Sequence, residues 1–182
     1  MEQMNILDSK VFVTTKRKVD AELISGEWLY LIQFRNYPEF LEKCIEIHSD
    51  EGNPLIYYLD YFNIPEPYIN EIWIEMNFFQ LIRNCQNLDL ENQCMFSIWL
   101  EFLKPDLMSY DFKSLINLFD FCKVGKFPNK IVFAYHHAEE FLGISHKSYP
   151  TFDFKSYANS LFVDTYQFVE GYVFKRIQIK SL

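Results

Sequence analysis

Two prolines, Pro65 and Pro67, mark the point where the hydrophobic pattern of this chain changes period, so no single layer of one element type can hold both sides of it. Before them, VFVTT (11–15), EWLYLI (27–32) and LIYYLD (55–60) read as strands, the first two pairing as a hairpin across the polar, irregular connection KRKVDAELISG. Between the second and third, Asn36 offers an N-cap, Pro38 a first helical residue and Glu39 a capping partner, opening a helix PEFLEKCIEIHS that Gly52 ends. After the prolines the spacing predicts helices over 70–86, over 90–103 behind Asp89 and before Pro105, and over 112–122 behind Asp111.

The middle helices resemble a small bundle with Leu81, Ile82, Leu88, Ile98, Trp99, Leu100, Phe102 and Leu103 inside. The span 90–103 is apolar nearly all round, which calls for another domain or subunit against it. VGKFPN (124–129) reads as a linker, KIVFAY as strand-like, HAEEFL as a short helix ended by Gly143, and 153–163 as a helix capped by Asp153. YQFV and YVFKRI flank Glu170-Gly171 as a terminal hairpin whose turn type the Glu leaves open. The expected fold class is α+β in three small domains: an N-terminal antiparallel sheet with a helix (1–65), a helical bundle (66–124) and a C-terminal mixed part with the hairpin (125–182).

Only 5 of the 182 residues are Gly, so phosphate-cradling glycine loops are unavailable, while 19 Phe, 12 Tyr and 3 Trp promise aromatic packing. Cys44, Cys85, Cys94 and Cys122 form no close pair suited to zinc or redox work, and are expected as buried thiols. The start MEQMNILDSK lacks a secretory leader pattern, and no apolar run approaches the ~20 residues of a membrane-spanning helix. A cytoplasmic protein is expected.

Charge is unevenly placed. Residues 36–92 carry eleven acids against Lys43 and Arg83, whereas the flanks nearly balance, for a net −8 overall. Such a surface repels nucleic acid and attracts basic clefts, although solvated helix faces would give the same composition. Glu39, Glu42 and Glu46 step by three and four, forming on a helix a row with gaps of ~4.5–6 Å, comparable to the ~3.4 Å charge spacing of a DNA strand. Asp50, Glu51, Glu66, Glu71, Glu75, Asp89 and Glu91 extend the field; Asp60, between a strand and a Tyr-Phe pair, is expected to be partly buried and is set aside.

Catalytic patterns are weak. His136 and Glu140 fall on one helical face as an acid-base or metal pair, with His146 the nearest third ligand, but no HExxH-type arrangement exists. His48-Ser49-Asp50 has the letters of a hydrolytic triad at positions that point apart. No enzyme activity, cofactor or metal is expected.

Three stretches, taken in order, resemble one family. VFVTTKRKVDAELISGEWLYL with its Gly26-x-Trp28 turn, EFLEKCIEIHSDEGNPLIYYLDYFNIPEPYINEIW (39–73), and YPTFDFKSYANSLFVDTYQFVEGYVFK (149–175) are similar to the opening, the acidic middle and the closing helix-plus-hairpin of ArdA-type antirestriction proteins. The resemblance implies an elongated homodimer that displays carboxylates like DNA phosphates and fills the DNA groove of type I restriction-modification enzymes, touching neither nucleic acid nor membrane. Mobile elements carry such proteins. The chain departs from the family where 93–182 hold nine acids against ten bases, where 130–146 contribute only Glu139 and Glu140, and where Lys175, Arg176 and Lys180 make a basic tail.

A competing reading is an acidic inhibitor or adaptor that binds its partner through aromatic residues, with Trp73, Phe78, Phe79, Trp99 and Phe102 as the candidate patch, although core packing explains the same residues.

Overall fold

The structure, a computed structural model, describes residues 4–23 and 25–177. Ile24 in the first connection, the first three residues and Lys180 lie outside these. The chain is α+β, with seven α-helices and three small antiparallel sheets among the described residues. It divides into two compact units, Met1–Leu115 and Ile116–Leu182, rather than the three expected.

In the first unit, β1 (Lys10–Thr15) is flanked by β2 (Glu27–Tyr30) and β3 (Ile56–Phe62) in the order β2-β1-β3. Val11, Val13 and Leu29 turn one sheet face into the core. The polar connection contains a short helix, α1 (Lys16–Asp20), because the Thr15 hydroxyl accepts from the Lys18 amide. The strand expected to reach residue 32 ends at Tyr30 and continues as a 3₁₀ turn, Leu31–Gln33. Helix α2 (Tyr37–Ile47) starts where expected, the Asn36 side chain accepting from Glu39 N, and ends at His48 rather than Gly52.

The pattern over 70–86 resolves differently. Its first part is a two-stranded ribbon, β4 (Ile69–Asn70) with β5 (Trp73–Ile74), and only then does α3 (Met76–Cys85) begin, capped by the Glu75 carboxylate. Helix α4 (Leu90–Leu103) follows behind Asp89, with Met95 to Leu100 buried on every side, and α5 (Phe112–Cys122) spans the division between units. No boundary falls at residue 65, because aromatic and polar contacts cross it. Phe40 lies 5.3 Å from Phe79, Tyr58 N donates to Glu71 O at 2.7 Å, and Ile6 N donates to Ser97 Oγ at 3.1 Å. Of the expected bundle interior, Leu88 and Leu103 are half-buried and Phe102 is exposed.

In the second unit, β6 (Lys123–Lys126), α6 (Lys130–Leu142), α7 (Phe154–Asp164), β7 (Tyr166–Val169) and β8 (Tyr172–Lys175) form a sheet β6-β8-β7 and a helix pair. The first half of the segment read as a linker, Val124 to Lys126, belongs to the edge strand β6 and is held by pairing to β8, while 127–129 remain a connection. The segment KIVFAY is helical despite its strand-favouring composition. Asn129 accepts from Ile131 N and Val132 N, and Phe133, Ala134 and Ala138 bury one helical face against Phe162, Tyr166 and Val173 or within the helix pair. Gly143 ends it at φ 67°. Arg176, read as part of a basic tail, anchors the hairpin by donating to Tyr166 O and Gln167 Oε1.

Two backbone positions yield predictions. A Cβ added at Gly26 would meet Val13 O at 2.1 Å, so Gly26→Ala is expected to destabilise by more than about 2 kcal/mol in chemical denaturation. The hairpin turn has both central residues left-handed, Glu170 at φ 49° and Gly171 at φ 87°, a type I′ arrangement in which Glu is strained. Glu170→Asn is expected to stabilise by about 0.5–1 kcal/mol, read as a raised Tm.

Candidate functional site

All ten acidic residues singled out from the sequence lie in the first unit, which holds nineteen acidic against nine basic residues; the second holds six against eight. Charge therefore segregates by unit, as −10 and +2.

Helix α2 shows why the acids face outward. Phe40 and Cys44 are fully buried, and at ~100° per residue Glu39, Glu42 and Glu46 cluster within ~60° on the far side. Glu42 and Glu46 are exposed, Glu39 half-buried. Glu39 has a local task as well, accepting from Arg35 N at 2.6 Å and Arg35 Nε at 3.2 Å; the backbone bond first and the guanidinium next hold its carboxyl below the usual range. Glu46 pairs with Lys43 at 3.1 Å, an exposed contact that contributes little.

Past the helix, Asp50 is exposed and accepts from Lys18 Nζ at 3.2 Å, which lowers its pKa. Glu51 is drawn inward, its Oε1 accepting from the Thr15 hydroxyl at 2.7 Å. Lys18 also bonds His48 Nδ1 at 3.0 Å, so the His48-Ser49-Asp50 letters make no triad and instead tie α1 to the end of α2. Glu66 and Glu71 are exposed, the latter hydrogen-bonded by the Tyr57 hydroxyl, whose pKa it raises. Asp89 and Glu91 are exposed at the start of α4, and Asp89, held low by the Asn92 amide, caps the helix.

Glu75 leaves the set. It is 7% exposed, and its carboxylate is turned onto Asn77 N as the cap of α3. Asp60 moves the other way: it is exposed, because a register shift between Phe12 and Val13 turns that end of β3 outward. Of the acids singled out, Glu42, Glu66, Glu71, Asp89 and Glu91 are exposed and have no ion pair among the described residues, and the same holds for Asp60.

The aromatic patch expected as the alternative is mostly core. Phe78, Phe79 and Trp99 are buried, leaving Trp73 and Phe102 exposed. A different aromatic surface, not foreseen, lies on the outer face of the β2-β1-β3 sheet, where Lys10 and Phe12 point away from the core opposite Tyr30, Phe62, Trp28 and Asp60. Its only sequence signal is the alternation of Phe12 between two valines.

In the second unit, His136 and Glu140 do not pair. His136 meets the Phe127 ring, while His137 sits between the hydroxyls of Tyr157 at 2.8 Å and Tyr166 at 3.2 Å. His146 packs on Tyr135 and Phe154. Among the described residues no three His, Cys, Asp or Glu side chains converge as metal ligands, and no helix is long and apolar enough to cross a membrane. No family model and no curated protein matches the chain.

Burial lowers the His137 pKa, outweighing the Glu140 carboxylate that would raise it. A base depressed in the fold binds fewer protons there than when unfolded, so its share of stability is complete above the unfolded value of ~6.5 and declines as pH falls below it. Thermal unfolding between pH 7 and 5 is expected to show this decline, and His137→Gln to reduce it.

Proposed function

We propose that this protein is an antirestriction protein, an acidic DNA mimic that inhibits type I restriction-modification enzymes in the cytoplasm by occupying the groove that binds DNA. The observation that carries the reading is the segregation of a −10 charge into one unit, with an outward row of carboxylates on α2. The ordered resemblance to ArdA-type proteins supplies the target.

The mechanism is competition without turnover. A groove lined by Lys and Arg gains affinity from DNA chiefly by releasing counterions, and carboxylates already fixed on a folded surface take the same cations while offering no base to modify. Local hydrogen bonds lower the carboxyl pKa of Glu39, Asp50 and Asp89, which favours their charged forms. By the same resemblance the protein acts as a homodimer, which lengthens the imitated duplex.

Because the field is spread over many groups, single changes should matter little. In displacement of a labelled duplex from a type I methyltransferase core, Glu42→Lys is expected to weaken inhibition a few-fold. Reversing Glu42, Glu46, Glu66 and Glu91 together is expected to abolish it; none of these four caps a helix. An equal loss from the single change would contradict a distributed field.

A further inference from the structure

Independently of the mimicry reading, we infer that the outer face of the β2-β1-β3 sheet is a docking surface for a basic protein segment, its ring faces and the Asp60 carboxylate receiving an arginine side chain. The register places two rows on this face, Tyr30-Lys10-Phe62 and Trp28-Phe12-Asp60. Trp28, Tyr30 and Phe62 remain 41–42% exposed although each carries a large aromatic ring on a paired strand. Scattered exposed rings need no explanation, but several on adjacent strands of one face do.

The occupant is indicated by charge. The Lys10 ammonium stands over three rings at once, 4.9 Å from Trp28, 5.7 Å from Tyr30 and 5.5 Å from Phe62, so the geometry already accepts a cation. The surrounding unit carries −10, and Asp60 supplies an exposed carboxylate at the edge of the ring cluster. A planar guanidinium stacks on such rings and pairs with a carboxylate in a bidentate fork at the same time, a geometry that a compact ammonium does not offer. A nucleic-acid strand would also stack on these rings, but it would meet the same negative unit.

Calorimetric titration of the whole protein with octa-arginine and, separately, with oligothymidylate tests the assignment. Octa-arginine is expected to bind, with Trp28→Ala, Tyr30→Ala and Phe62→Ala each weakening it about fivefold. Lys10→Ala is expected to tighten it by removing the resident cation. Reversal of Glu42 and Glu46 should lower the affinity generally while leaving the dependence on the rings. Peptide binding indifferent to all three ring changes would overturn the proposal, as would a loss of peptide affinity in Lys10→Ala. Oligothymidylate binding that disappears with the rings would overturn it in favour of a nucleic-acid platform.

Discussion

The Phe40 ring is the contact on which the first unit depends. It lies 5.3 Å from Phe34, 5.3 Å from Phe79 and 6.0 Å from Tyr58, joining α2 to the chain before it, to α3 and to β3. Burying one such ring stabilises by roughly 1.5–3 kcal/mol, with about 0.5–1.5 kcal/mol more for each well-placed aromatic pair. Repulsion between like charges one turn apart on a helix amounts to only about 0.2–0.5 kcal/mol per pair. Core packing therefore decides the rotation of α2, and the carboxylates accept the face that remains. That hierarchy lets a helix carry a row of acids without unfolding.

How much of this was legible varied with the kind of signal. Elements opened by a capping side chain were placed well: Asn36, Asp89, Asp111 and Asp153 each accept an amide at the helix start they were expected to mark. Segments whose state is decided by distant partners were not. The first half of the linker-like stretch 124–129 becomes a strand through β8, while Lys130–Leu142 begins with strand-favouring residues and becomes a helix because Phe133, Ala134 and Ala138 find a shared buried face. The division at residue 65 failed for the same reason, since Phe79 and Ser97 answer residues far earlier in the chain.

The candidate acids followed the same rule. Helical spacing located Glu42 and Glu46, but it could not distinguish an acid that faces water from one that holds a backbone amide, and Glu75 proved to be the latter. Asp60, whose strand and Tyr-Phe neighbours suggest burial, is exposed by a register shift that no local pattern announces. The outer sheet face was missed because its rings come from three strands that only pairing brings together. The first unit thus presents carboxylates on α2 and a cation-holding ring cluster on the sheet, two surfaces of compatible charge preference.

The central claim is that the acidic unit stands in for DNA, and the direct measurement is equilibrium binding of the labelled protein to a type I methyltransferase core, with and without saturating duplex, over a salt series. Mimicry predicts that duplex and protein exclude each other and that log affinity falls steeply and linearly with log salt, as it does when phosphates are replaced at a basic groove. A ternary complex of enzyme, duplex and protein, or an affinity indifferent to salt, would contradict it.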